Sequence, residues 1–138
     1  MLDFGKMIFS TSCLLRRKTD QILHSLGISG SLAGFIKYIY DHKEVSAHDI
    51  EVSFGLTKAT VSENLNSLEN SGYIIRESSK TDGRIKIVKL TTKGEELRKN
   101  MKKLIEANED KITSILSVEE KEMLKKTLKK IRKKMEEE

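Results

Sequence analysis

The sequence predicts a mainly α fold that carries one small β-hairpin, and three observations predict it. Apolar residues recur at three- and four-residue spacing over most of the chain, which is the helical period. The β-branched, alternating pattern of strands is confined to two short runs, joined by a polar segment with Asp82-Gly83 at its turn. No proline occurs in the 138 residues, so nothing forces a helix to break from within. Helix ends must then be written in capping residues and glycines.

Taken in order, Phe4 to about Leu26 reads as a first helix. Ile8, Leu15 and Ile22 recur every seven residues, with Met7 and Leu14 beside them and Arg16-Arg17-Lys18 on another face. A chain this small has little core to bury so long a stripe, so Phe4, Ile8, Leu15 and Ile22 are expected to meet a partner subunit. Gly27 ends this helix. Ser29 or Ser31 caps the next, whose Leu32, Phe35, Ile36, Ile39 and Tyr40 form a second apolar face. Ser46, with Asp49 three residues on, opens a short third helix. Phe54-Gly55-Leu56-Thr57 then interrupts the pattern. Gly55 can take the positive φ of a tight turn, and Thr57 caps a fourth helix from Lys58 to about Asn70. Val61, Leu65 and Leu68 are its inward face, and Gly72 closes it.

Two strands follow, Tyr73–Arg76 and Ile85–Leu90, around a polar, basic loop. Helix, tight turn, helix and basic hairpin make a winged helix-turn-helix. Thr92, with Glu95 three residues on, then caps a fifth helix bearing Leu97, Met101, Leu104, Ile105, Asn108 and Ile112. Ser117 with Glu120 caps a sixth, with Leu124, Leu128, Ile131 and Met135 along one stripe.

Charge and composition narrow the partner. Lys and Arg outnumber Asp and Glu by 26 to 21, a net charge of +5, which favours a polyanion, although excess lysine also serves solubility. No apolar run approaches the roughly 20 residues of a membrane span, and the N-terminus lacks the pattern of a secretory signal. A single cysteine, Cys13, excludes an intrachain disulfide, and the expected compartment is the reducing cytoplasm.

The stretch Asp82-Gly83-Arg84-Ile85-Lys86-Ile87-Val88-Lys89-Leu90-Thr91-Thr92-Lys93-Gly94 resembles the wing signature of the MarR family of transcriptional regulators. That signature has an Asp and an Arg two apart, then a strand ending Leu-Thr-x-x-Gly. Ala59-Thr60-Val61-Ser62 and Leu68-Glu69-x-x-Gly72-Tyr73-Ile74 are similar to the family's recognition helix and its exit. The resemblance implies three regions in one interlocked domain: an N-terminal dimerisation helix (1–28), a winged DNA-binding region (29–94) and C-terminal dimerisation helices (95–138). It also implies an obligate homodimer, closed through Phe4, Ile8, Leu15, Ile22, Leu124, Leu128 and Ile131. The expected activity is repression from a pseudo-palindromic operator in double-stranded DNA. A small-molecule effector would enter the cleft between the dimerisation and DNA-binding regions. No cofactor, metal, membrane or catalysis is expected.

The DNA-facing residues follow from the buried ones. With Val61, Leu65 and Leu68 inward, Ala59, Thr60, Ser62, Glu63, Asn66, Ser67 and Asn70 face out. Asn can pair with adenine, and Ser and Thr serve either kind of partner. Thr57 and Lys58 stand at the start of the helix, where Lys58 suits a phosphate. On the wing the candidates are Lys80, Asp82, Arg84 and Lys86, with Arg84 in the minor groove and Asp82 holding its guanidinium through a paired hydrogen bond. The competing readings are a solvated polar helix face and a surface ion pair. Four residues depart from the family pattern: Glu63 for a basic residue, Glu51 for a small one, Asn64 for an apolar one, and Gly83 for a second basic one at the wing tip.

No catalytic constellation is present. His24, His42 and His48 are scattered, with His42 and His48 read as surface residues and His24 as partly buried. A metal site from Asp41, His42, Glu44 and His48 lacks a matching cluster downstream and is set aside. Cys13 is the candidate redox residue, with Arg16 and Arg17 one turn along to favour its thiolate. Its competing reading, preferred here, is a small apolar residue in a packed face. The rival function is a winged-helix protein-interaction module in which Glu63 and Glu69 meet a basic partner.

Overall fold

The computed structural model describes residues 3–138. In chain order the elements are α1 (Phe4–Ser25), α2 (Gly30–His42), β1 (Val45–Ser46), α3 (Ala47–Phe54), α4 (Lys58–Asn70), β2 (Ile74–Ser78), β3 (Lys86–Leu90), α5 (Thr92–Thr113) and α6 (Val118–Glu136). The chain forms two compact units, residues 1–103 and 104–138, so the division falls within α5.

In the larger unit the expected caps open α2, α3 and α4. The Ser29 hydroxyl, rather than Ser31, accepts the Leu32 amide at 3.3 Å and opens α2. Ser46 and Asp49 form a reciprocal capping box at 3.1 and 2.9 Å. Gly55 adopts φ +62, the left-handed conformation that turns α3 into α4. The Thr57 hydroxyl accepts the Thr60 amide at 3.2 Å to start α4.

The core lies where these helices meet the sheet. Phe35, Ile36 and Ile39 of α2, Ile50 of α3, and Val61, Leu65 and Leu68 of α4 are all but fully buried, with Ile74 and Val88 from the strands. The inward face of α4 is therefore the one its spacing predicts. Its cost of unfolding is large: each such side chain contributes about 1.5–3 kcal/mol when removed from water.

The sheet departs from the expected hairpin in having a third strand. Its order is β1-β3-β2, antiparallel throughout, with Val45 opposite Val88 and Ile74 opposite Leu90. Val45–Ser46 is too short to show a period of two, so nothing in the sequence distinguishes it from the helix entry it precedes. The strands are also shifted from their expected bounds, Ile74–Ser78 for Tyr73–Arg76 and Lys86–Leu90 for Ile85–Leu90. Glu77 and Ser78 are polar because the hairpin runs past the core into solvent.

The expected Thr92–Glu95 capping box is not the start of α5. Thr91 fills that role one residue earlier: its hydroxyl accepts the Gly94 amide at 3.1 Å and donates to the Gly72 carbonyl at 2.6 Å. One side chain thus caps α5 and ties it to the exit of α4, a second bond that sequence spacing does not reveal.

In the smaller unit, Ser117 and Glu120 form the expected capping box, at 3.1 and 3.0 Å. Among the described residues of α6 none is buried, and Leu124, Leu128, Ile131 and Met135 are all exposed. In the larger unit α1 buries Leu23 alone. Phe4, Ile8 and Leu15 are exposed and Ile22 is half-buried. No single helix among the described residues is long and apolar enough to cross a membrane.

Candidate nucleic-acid interface

Burial of Val61, Leu65 and Leu68 turns the opposite face of α4 to solvent. Thr57, Lys58, Thr60, Ser62, Glu63, Asn66 and Ser67 are all exposed, as the spacing predicts. Thr57 is used twice, since its hydroxyl also donates to Thr60 Oγ1 at 3.0 Å. That leaves the Thr60 hydroxyl its own proton to donate outward.

Asn66 is less free than expected. Its Oδ1 accepts a hydrogen bond from Arg76 Nη2 at 2.7 Å. Arg76 Nε lies 3.7 Å from Glu69 Oε2, so one guanidinium spans two residues of α4. Arg76 was not a sequence candidate. The signal was nevertheless there: strand alternation puts Arg76 on the same side as Ile74, which is buried under α4.

On the wing the loop is ordered by its own short side chains. Ser79 Oγ lies 3.0 Å from Thr81 Oγ1 and accepts from the Thr81 and Asp82 amides. Asp82 Oδ1 accepts the Arg84 backbone amide at 3.0 Å, an Asx-turn geometry. The expected paired hydrogen bond from Asp82 to the Arg84 guanidinium is absent: Nε approaches Oδ1 only to 3.6 Å. Asp82 therefore shapes the loop backbone, and the Arg84 side chain, 95% exposed, projects from it.

The wing cations divide into two groups. Lys89 Nζ sits between Glu77 at 2.5 Å and Glu44 at 3.3 Å. The hydrogen bond from Lys89 holds the Glu77 carboxyl below its ordinary pKa, and the bonds to Glu77 and Glu44 hold the Lys89 ammonium above its own. Lys93 Nζ donates to the Ser71 carbonyl at 2.6 Å and covers the Tyr73 ring. With Arg76 tied to α4, these cations serve the fold. Lys80 and Arg84 are exposed, and exposed Lys86 makes one bond, to Ser78 Oγ at 3.2 Å.

The remaining candidates are placed as follows. Cys13 is exposed, so the packed setting expected for it is not supplied by its own chain. His24 is exposed rather than partly buried. His42 is exposed; its ring stacks on Tyr38 at 4.0 Å and its Nδ1–H donates to the Tyr38 carbonyl. Among the described residues no three His, Cys, Asp or Glu side chains gather as metal ligands. Glu51 and Asn64 are both half-buried, and among the described residues no hydrogen bond joins them. An open cleft of about 910 Å³ lies between α1, α2 and the end of α3, with Arg16, Asp20 and His24 on its rim and Phe35, Phe54 and Leu56 within.

The family model of the MarR family matches residues 26–85, from the end of α1 through the wing tip. Over these residues the winged helix-turn-helix of this chain is similar to that of the MarR family. A Bacillus subtilis relative, YdgJ, described as an uncharacterized HTH-type transcriptional regulator, is 31% identical over 98 residues. That match covers 71% of this chain and spans 60% of the relative, less than two thirds of its length. Among solved structures, Staphylococcus aureus MepR, described as a transcription regulator of the multidrug efflux pump MepA, is 27% identical with a TM-score of 0.88, covering 97% of this chain and 99% of that one. The S. aureus MepR–DNA complex is 28% identical with a TM-score of 0.76, covering 98% and 99%. The MarR-type wing signature thus sits on β3 and the start of α5, where Thr91 and Gly94 make the joint just described.

Proposed function

We propose that this chain is a cytoplasmic MarR-type transcriptional regulator, a repressor that binds a pseudo-palindromic operator as a homodimer and is released by a small ligand. The observation that carries the reading is the exposed, short-chained polar face of α4, held outward by Val61, Leu65 and Leu68 and followed by a wing with Lys80, Arg84 and Lys86 exposed. Such a helix fits the major groove, and such a wing tip fits the backbone or minor groove. Two copies would place their α4 helices about 34–36 Å apart. The exposed apolar stripes of α1 and α6 support the second copy. The cleft beside α1 and α2 supports an effector, which would act by binding one arrangement of the dimer better than the other. MepR, similar over nearly its whole length, has been solved on DNA.

A protein-interaction module remains the rival reading, but Glu69 weighs against it. That reading needs Glu63 and Glu69 free for a basic partner, and Glu69 is already paired with Arg76.

A salt titration on selected and scrambled duplexes tests the proposal. Arg84→Ala should weaken binding to every sequence and flatten the salt dependence by about one counterion per subunit. Glu63→Gln should raise background affinity and relax preference at one base pair per half-site, by about 1–3 kcal/mol if Glu63 accepts from cytosine. An unchanged salt slope in Arg84→Ala would remove the wing from the DNA. No effect of Glu63→Gln on either quantity would remove α4 from the groove.

A further inference from the structure

Two residues of the turn between α3 and α4 wall the cleft beside α1 and α2. Phe54 and Leu56 both line it, and the next residue, Thr57, is the N-cap of α4. The Phe54 ring has little room to retreat toward α2. It meets Phe35 and Tyr38 edge-on, with centroids 5.0 and 5.6 Å away, and a β-carbon on Gly34 would lie 3.4 Å from its Cε2. Ser53, just before it, is pinned as well, its hydroxyl donating to the Tyr38 hydroxyl oxygen at 2.9 Å. An apolar ring entering the cleft therefore displaces Phe54 together with the backbone that follows, because close-packed side chains pass a displacement on. Gly55, at φ +62, is the joint that can give.

The two ends of α4 differ in how they are held. Its C-terminal half is tied down by polar bonds: Arg76 reaches Asn66 at 2.7 Å and Glu69 at 3.7 Å. Beyond its last turn, Lys93 Nζ donates to the Ser71 carbonyl and the Thr91 hydroxyl to the Gly72 carbonyl, both at 2.6 Å. Among the described residues, no hydrogen bond or ion pair joins residues 57–65 to another element; the Thr57 hydroxyl bonds only within its own helix. That half is held by the buried Val61 and Leu65, whose apolar contacts have no fixed direction.

We infer that a ligand in the cleft acts within a single chain, pushing on Phe54 and withdrawing the N-terminal end of α4 from DNA while its C-terminal end stays anchored. This rests on the proposed DNA binding and effector cleft, and names how the second controls the first. The ligand gains its leverage from volume: the cleft is larger with Phe54 displaced, so that conformation binds it better. Lys58 and Thr60 lose their contacts, while the wing keeps its own.

A tethered filler tests this without knowledge of the natural ligand. The chain has a single cysteine, so in a Cys13→Ser background Ser31→Cys or Thr19→Cys gives one thiol on the cleft wall, to be alkylated with monobromobimane, a compact apolar reagent. Alkylation should weaken binding to a selected duplex about tenfold or more. Adding Lys58→Ala should flatten the salt dependence by about one counterion per subunit before alkylation and change nothing after it, whereas Arg84→Ala should flatten it in both states. Phe54→Ala, or Phe54→Leu if the first does not fold, should reduce the effect of alkylation. No weakening from either position, undiminished weakening in the folded Phe54 variant, or an equal Lys58→Ala effect in both states overturns the inference and leaves the regulator reading in place. An unalkylated protein that holds selected duplexes no better than scrambled ones overturns both.

Discussion

Gly94 shows how one residue can matter more than its size suggests. It is buried in the first turn of α5, and a β-carbon there would collide with the Tyr73 carbonyl oxygen while crowding Leu90 Cδ2 at 3.2 Å. The obstacle on one side is backbone, which cannot swing away like a side chain. Gly94→Ala should therefore destabilise by about 1–3 kcal/mol, read as a lower urea midpoint. Gly83→Ala, at a position with open space around it, should leave stability within about 0.5 kcal/mol. Equal effects would mean that Gly94 is not in a close joint. The glycine itself was visible in the sequence as the end of the Leu-Thr-x-x-Gly run, but the carbonyl it makes room for was not. Arg76 was missed for a similar reason. Its partners Asn66 and Glu69 lie ten and seven residues away on another element, and only the packing of β2 against α4 brings them together.

At the scale of elements, what the sequence disclosed depended on length. The long helices repeat their apolar period several times, so α1 and α4 were legible with both ends correct to a residue, and α5 and α6 with their starts correct to a residue. A two-residue strand repeats nothing, and β1 emerged only from its pairing with β3. That sheet carries a charge brace with a definite pH signature. Ile75 is opposite Lys89 and Glu77 opposite Ile87, so Glu77 and Lys89 are diagonal neighbours within reach of a long side chain. The Glu77 pKa is lowered in the fold from 4.5, so its share of stability is present above that value and is lost as pH falls through the folded pKa. The Lys89 pKa is raised from 10.5, so its share is present below that value and is lost as pH rises through the folded pKa. Glu77→Gln should remove the acid-side loss and leave a flatter urea midpoint below pH 4.5 than the wild type shows. Both residues are solvent-accessible, so the difference should shrink in high salt. Identical acid limbs for the two proteins would mean that the pair has no thermodynamic weight.

For the molecule as a whole, the decisive contrast is between helices that have a core and helices that do not. The winged elements bury Phe35, Ile36, Ile39, Ile50, Leu65, Leu68 and Ile74 within their own chain. By contrast α6 buries none of its residues, and Met123, Leu124, Leu128, Ile131 and Met135 are exposed. On α1, Phe4 is 62% and Phe9 70% exposed. Apolar faces of that extent support the proposed homodimer, in which a second copy would supply the same faces by symmetry. The sequence showed the stripes as periodicity but not how separately the winged core is built, so in place of an obligate dimer we expect one that α1 and α6 need and the winged core does not. Leu128→Glu puts a charge in the middle of the α6 stripe, where pairing with another copy would strand it away from water. It should abolish the dimer and unravel α6, while the winged core, which owes nothing to that stripe, keeps slow amide exchange at Ile36, Ile50 and Leu65. Sedimentation and hydrogen exchange on the same samples read both halves of this expectation. A wild-type chain that sediments as a well-folded monomer at micromolar concentration would remove the dimer. A Leu128→Glu chain that loses protection throughout would instead show that the winged core depends on the partner after all.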